Sequence, residues 1–308
     1  MSISATLVKE LREKTNAGML DCKKALEATA GDFNAAVEWL RVKGLGAAAK
    51  KADRIAAEGA VFAQVVGNTG IVMEINSETD FVARNDGFKA LAADVAQHLL
   101  KTELSGDVLE QPFIKDPSKK MKDLFTEATA TIGEKIVLRR QEKYTASANS
   151  LVHTYIHGEG KIGVMIEVAA SKPEAVSNPE LKTFAQDVAL HIAAMNPMAI
   201  SSEQIPADVV AKEKEILAAK NLESGKKPEM IEKIVEGQIR KFLAENCLMD
   251  QAFVKNPDVK VGDLAKTVGK AIGADVTVKR FTRFELGAGI EKKVNDFAAE
   301  VAEQMKGH

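Results

Sequence analysis

Two histidines four residues apart, His153 and His157, are the first residues whose spacing invites a chemical reading. On a strand they share one face. A metal would need a third ligand beside them, and the sequence nominates none. Gly158-Glu159-Gly160-Lys161-Ile162-Gly163 has the G-x-G-x-x-G spacing of a dinucleotide loop. Such a loop follows a strand and opens a helix. Here Val164 to Val168 reads as a strand, so these glycines predict a turn. There is no G-x-x-x-x-G-K-[ST] phosphate loop. Cys22 and Cys247 have neither metal-ligand nor redox spacing, which suits a reducing compartment. No Ser/His/Asp order or activated cysteine stands out. These residues predict a chain that is not an enzyme and carries no metal or cofactor. An unrecognised site on the His153/His157 strand is the alternative.

A different stretch carries more information. Thr79-Asp80-Phe81-Val82-Ala83-Arg84-Asn85-Asp86 lies between a strand pattern, Gly70 to Ile75, and a helix pattern, Phe88 to Leu100. A connector there should be short and polar. This one places an acid, a large aromatic and a valine in a row. A plug tucked back onto the local core is the plain reading, and a contact for a partner is the functional one.

The elements that must hold this loop follow from pattern. Residues 1–54 predict three short helices, with Ser4 and Asp32 as N-caps and Gly31 as a break. So small a core is marginal alone, which suggests a docking domain. Gly44, Gly46 and the Ala/Lys run to Ala57 read as a partly helical connector. A β-hairpin then turns at Gly67-Asn68-Thr69-Gly70. The loop, a helix over 88–100, a second helix over about 120–131 and a strand over 136–140 complete a unit.

That unit recurs. An offset of 93 aligns Gly67, Gly70, Glu74, Asp94 and His98 with Gly160, Gly163, Glu167, Asp187 and His191. An offset of 140 aligns 111–140 with 251–280 at ten identities in thirty positions, where about two are expected from composition. Features present in both copies, including the paired Glu and His, read as parts of the fold. The offsets differ by 140 − 93 = 47 residues, so the second copy holds an insertion of that size, at about 200–246. It reads as a helical hairpin turning at Ser224 to Pro228, a candidate surface for self-association or a partner. Opposite Asp80 and Phe81 the second copy has Pro173 and Glu174. One copy therefore folds without the Asp-Phe tip, and the functional reading gains.

Bulk numbers bound the rest. The 308 residues suffice for two or three domains. A net charge of −2 gives no overall field towards nucleic acid or anionic lipid. Aromatics at 5% are too few for a single-strand stacking platform. No apolar run approaches membrane-spanning length. The amphipathic N-terminus carries Glu10 and Glu13, unlike a signal or transit peptide, so a cytoplasmic protein is expected. A generic helical adaptor is a second alternative, though it would have no use for a single-copy Asp-Phe-Val tip.

Four stretches carry a family resemblance over essentially the whole chain. They are Thr15-Asn16-Ala17-Gly18-Met19-Leu20-Asp21-Cys22-Lys23-Lys24-Ala25-Leu26, the loop Thr79 to Asn85, Asp187-Val188-Ala189-Leu190-His191-Ile192-Ala193-Ala194, and Arg283-Phe284-Glu285-Leu286-Gly287-Ala288-Gly289-Ile290-Glu291-Lys292. Together they resemble the bacterial elongation factor Ts family. Leu20 stands where Met is common and Ala288 where Glu is common, and neither departure touches the loop. The resemblance implies an α+β fold. Its parts are a ubiquitin-associated-like helical domain (1–54), core subdomains N (55–145) and C (146–281), a coiled-coil insertion (200–246) and a C-terminal module (282–308). It implies guanine nucleotide exchange on the GTPase elongation factor Tu, with no direct nucleic acid or membrane contact. In that resemblance Thr79, Asp80, Phe81 and Val82 enter the GTPase near its Mg²⁺ site and promote loss of Mg²⁺ and GDP. Met19, Leu20, Asp21 and Cys22 dock on the same partner.

Overall fold

A computed structural model describes residues 3–15 and 17–291. The chain opens with three helices, α1 (Ala5–Thr15), α2 (Met19–Ala28) and α3 (Phe33–Ala49). Both expected caps are present. Ser4 Oγ accepts the Leu7 N–H at 3.1 Å and Asp32 Oδ1 accepts the Ala35 N–H at 2.9 Å. Ala30 and Gly31 take positive φ of 52° and 85°, and the Gly31 N–H closes the end of α2 on the Leu26 carbonyl at 2.8 Å. Leu11, Cys22, Leu26 and Ala36 form the small core, with Trp39 and Leu40 at its edge. Gly44 and Gly46 do not break the third helix into a connector: α3 runs through both. Tertiary packing overrides propensity there. Gly44 is buried, and a Cβ on it would sit 3.4 Å from Ala130, so glycine lets α3 cross closely over a core helix.

Residues 58–145 form the first copy of the repeat: β1 (Glu58–Val66), β2 (Thr69–Ser77), a 3-10 helix (Asp80–Arg84), α4 (Asp86–Lys101), a small hairpin of β3 (Pro112–Phe113) and β4 (Asp116–Lys120), α5 (Met121–Ile132) and β5 (Val137–Thr145). The second copy follows as β6 (Ser150–His157), β7 (Ile162–Ala170), a 3-10 helix (Pro173–Ser177) and α6 (Pro179–Met195). After the insertion, α7 (Ala207–Glu223) and α8 (Pro228–Asn246), it resumes as β8 (Ala252–Phe253), β9 (Asn256–Lys260), α9 (Val261–Ile272) and β10 (Val276–Glu285). The fold is α+β. Each copy builds an antiparallel three-stranded sheet, ordered β1-β2-β5 and β10-β7-β6. β10 runs unbroken through residues 281 and 282, where a module boundary was expected. The helix expected over 291–305 falls outside the described residues from 292 onward.

The two sheets pack face to face, with α4 and α5 outside one and α6 and α9 outside the other. Period-two alternation assigns each side chain a layer. Ile71, Met73 and Ile75 of β2 face the helices, while Val72 faces the other sheet beside Val61, Val152 and Met165. This explains the repeated glycines: a Cβ on Gly70 would strike Val152 and Met165, and one on Gly163 would strike Val61 and Val72. The interface is reciprocal. Arg140 lies over the Phe284 ring at 4.3 Å, and its repeat mate Arg280 lies over Tyr144, the mate of Phe284, at 4.0 Å. One chain thus makes the self-complementary contact of a two-fold dimer.

The insertion is the expected helical hairpin, with arms of about 25 Å. A bridge between Ala199 and Cys247 closes its base, over Ile205, Val209, Val210 and Leu243. Its seam buries Val235, Ile239 and Asn221, and Asn221 Nδ2 donates to Oε1 of the half-buried Gln238 at 2.7 Å. No helix among the described residues is long and apolar enough to cross a membrane.

Candidate functional site

The tip of the first copy is a fixed structure. Residues 80–84 form a single 3-10 helix with Thr79 as its N-cap. Asn85 ends it and at once caps α4, its Oδ1 accepting the Gly87 and Phe88 N–H groups at 2.8 and 3.2 Å. Val82 points inward and joins the core under β2 and α4. Phe81, one residue before it, points out and is 79% exposed, the most exposed large apolar side chain described. Asp80 and Arg84 are exposed on either side. Arg84 lies 4.0 Å from Glu159 in the β6–β7 turn, a solvated pair that contributes little.

The root of the tip is tied to distant parts of the chain. Glu134, just past α5, accepts three hydrogen bonds with its carboxylate. The Glu78 and Thr79 N–H groups donate to Oε2 at 3.1 and 2.9 Å, and the Thr79 hydroxyl donates to Oε1 at 2.6 Å. The Lys135 N–H donates to Glu78 Oε1 at 2.7 Å, and Lys135 Nζ donates to the Ala52 and Arg54 carbonyls. The Ser77 hydroxyl donates to the Thr79 carbonyl at 2.8 Å. Sequence reasoning missed Glu78, Glu134 and Lys135. A signal was present in the repeat, where Thr79 and Glu134 change together to Lys172 and Ala274.

The expected site residues divide by direction. Thr79 is half-buried and engaged at the root, Asp80 and Phe81 are outside, and Val82 is a core residue. The position equivalent to Val82 is Ala175, also buried, so this inward residue belongs to the fold in both copies. On α2, Met19 and Leu20 are 56% and 64% exposed. Asp21 is half-buried and pairs with Lys43. Cys22 is fully buried among Leu11 and Leu26, so its thiol cannot touch a partner. Burial pushes that thiol above its ordinary range, against its hydrogen bond with Thr15.

The other chemical candidates are absorbed by the fold. Gly158 and Gly160 lie in the β6–β7 turn and Gly163 in β7 itself, and the Gly160 carbonyl accepts the Val61 N–H of the first copy at 2.8 Å. His157 Nδ1 lies 3.0 Å from Tyr155 Oη, while burial lowers the pKa of His153. Among the described residues no three His, Cys, Asp or Glu side chains are grouped to share a metal ion. His98 and His191 are buried mates bonded to Gln111 and Gln251 at 3.0 and 2.9 Å. Burial lowers both pKa values, against the glutamine bonds. Glu74 and Glu167 bind Arg140 and Arg280 at 2.6 and 2.7 Å. Burial would raise the Glu74 carboxyl, but the Gly287 N–H, Asn76, Arg139 and Arg140 together hold it below the usual carboxylate range.

The family model and the similar proteins agree. The family model described as Elongation factor TS matches residues 78–288, a span that begins at the root of the tip. The chain is 88% identical over 308 residues to the Elongation factor Ts of Bdellovibrio bacteriovorus, with 100% of both chains covered. It is 47% identical to those of Trichlorobacter lovleyi and Symbiobacterium thermophilum, each over 98% of both chains. With the duplicated core and its outward Phe81 in view, these matches establish that the chain belongs to the elongation factor Ts family, the translation elongation factors of protein biosynthesis.

Proposed function

We propose that the chain is a guanine nucleotide exchange factor, not an enzyme, that acts in the cytoplasm on the GTPase elongation factor Tu. One observation carries this reading. A phenylalanine 79% exposed stands on a 3-10 helix in one copy of a repeat, and the other copy folds with a glutamate there. An exchange factor must bind the nucleotide-free partner more tightly than the GDP-bound one, since equal affinity shifts nothing. A 10⁴-fold coupling needs roughly 5.5 kcal/mol of differential binding. By linkage, GDP weakens the factor as much as the factor weakens GDP. A wedge that fits only the opened partner can supply much of this. Burying a Phe removes about 150–250 Å² from water, at most about 4–6 kcal/mol.

In this reading Phe81 is the wedge, and Val82 and Thr79 hold its helix in place. Asp80 shares the charge of phosphate and is unsuited to binding it. It is suited to disturbing a magnesium shell through the water or hydroxyl ligands. Loss of Mg²⁺ and GDP then leaves the site open for GTP. Met19 and Leu20 form a second contact on the same partner. The factor holds no nucleotide or metal of its own and needs no nucleic acid or membrane. The test is release of labelled GDP from elongation factor Tu with and without the protein. A release rate unmoved by saturating protein would end this reading. The helical hairpin is the candidate self-association surface, with Ile216, Leu222 and Met230 exposed along it. Replacing 206–243 by a short linker should lower the sedimenting mass; an unaltered profile removes that role.

A further inference from the structure

We propose that Glu134 is a positioning residue for exchange: its carboxylate aims Phe81 by clamping the N-cap of the tip helix. The proposal rests on the reading of Phe81 as the wedge. Both copies must hold the strand-to-helix connection at its root, and both do so with a matching bond. In the first, the Lys135 N–H donates to Glu78 Oε1 at 2.7 Å. In the second, the Asp275 N–H donates to Ser171 Oγ at 2.9 Å. Residues 135 and 275 are mates under the offset of 140, and 78 and 171 under the offset of 93. This shared bond is what the fold requires.

The Glu134 clamp is additional. Its carboxylate accepts two consecutive N–H groups and the Thr79 hydroxyl in the copy that presents Phe81. In the second copy the Ser171 N–H, mate of the Glu78 N–H, donates instead to the Asp275 carbonyl at 2.9 Å. The two bonds to Thr79 are therefore what the first copy adds. Lys172 and Ala274 occupy the mate positions in the second copy, and Ala274 has no side-chain acceptor at all. The second copy nonetheless forms its five-residue 3-10 helix, Pro173–Ser177, so the clamp is not needed to make that helix. Pro173 presets one φ at the start of the second helix. The first helix starts with Asp80, which presets none, and the clamp orders the same point by hydrogen bonds. Charge-assisted bonds to a carboxylate are the strong kind. They are made before any partner arrives, so the ordering cost of an exposed loop is not charged to the encounter. Glu134 lies three residues before the start of β5 and never needs to touch the partner's reacting site.

The experiment uses the full chain with Glu134→Ala, Glu134→Gln, Thr79→Val and Phe81→Ala. It reads GDP release from elongation factor Tu at saturating factor, the half-saturating concentration, thermal unfolding, and amide exchange at Glu78 and Thr79. Glu134→Ala should raise amide exchange at both residues and slow maximal release by about tenfold, with unfolding little changed. Thr79→Val, which removes one bond of three, should slow release by about threefold. Glu134→Gln should restore most of the rate, because its amide oxygen can take both N–H groups and its NH₂ can face the Thr79 oxygen. Parent-like release by Glu134→Ala beside slow Phe81→Ala overturns the clamp alone. Slow release that tracks lost thermal stability, without rescue by Gln, also overturns it. Parent-like release by Phe81→Ala overturns the wedge and the clamp together.

Discussion

The two copies of the repeat place the same five-residue 3-10 helix between a central strand and a long helix, and use it differently. Both end it on an asparagine that caps the next helix, Asn85 and Asn178. Both bury the third residue, Val82 and Ala175, and both set a Glu–Arg pair and a His–Gln pair behind it. The outer face separates them. The first copy shows Asp80 and Phe81 and anchors them with Glu134; the second shows Pro173 and Glu174, with Ala274 at the mate of Glu134. Duplication thus supplies an internal control. What both copies keep serves the fold, and an exposed tip that one copy keeps alone is not required by it.

The largest expected effect sets one acid against its mate. Glu74 is fully buried and accepts from Arg139, Arg140, Asn76 and the Gly287 N–H. Its loss takes the shared carboxylate from two guanidiniums and two N–H donors and leaves the Gly287 N–H without that acceptor, so Glu74→Ala should cost about 3 kcal/mol in chemical denaturation. Among the described residues Glu167 is bonded to Arg280 and Ser150, and Arg280 is more open to water. Glu167→Ala should therefore cost about half as much. Equal costs would show that the extra links to Arg139 and Gly287 stabilise nothing. Next comes the tip. Phe81→Ala should slow factor-stimulated GDP release at least tenfold, about 1.4 kcal/mol, with an unchanged melting curve. Glu174→Ala should leave release as in the parent. Grafting Pro173→Asp with Glu174→Phe into the Phe81→Ala chain should not restore the rate, and restoration would make the position of the tip irrelevant.

A smaller effect belongs to α2. Met19→Asp with Leu20→Asp should weaken docking several-fold in a binding titration, since exposed apolar anchors contribute about 1–2 kcal/mol each. Unchanged affinity would remove α2 from the interface. Deleting 1–54 is a poorer probe, because it also strips α3 from α5. The smallest effect is on pH. Burial depresses His98 and His191, so the unfolded chain binds more protons than the folded one below the ordinary value of about 6.5. Their contribution is whole above pH 6.5 and is lost as the pH falls towards the folded values. Each group can cost at most about 1.4 kcal/mol per pH unit. Replacing both with Gln should flatten stability between pH 6.5 and 5, and an unchanged slope would mean other groups dominate.

Much of the fold was legible because it is local. Turn residues at 67–70, caps at Ser4 and Asp32, and period-two or helical spacing are set by neighbours in sequence. The repeat then doubled the information, since each copy predicted the other and their misfit exposed both the insertion and the single-copy tip. The errors were non-local. Gly44 and Gly46 favour a break, but α3 is held straight through them by α5, over eighty residues away. Cys22 and Val82 sit beside exposed residues, and only the core beneath them decides that they turn inward. Glu134 is an ordinary surface acid until β2 brings Thr79 beside it.

By itself the sequence determined the order of elements, the duplication, the place of the helical hairpin and the family. It also marked Asp80 and Phe81 as residues the second copy does without. Tertiary structure alone decided that Phe81 faces water rather than its own core. The reason is geometric. In a 3-10 turn successive side chains diverge by roughly a third of a circle. Once Val82 fills the pocket under β2, Phe81 cannot share it, and the Glu134 carboxylate fixes the turn in that setting.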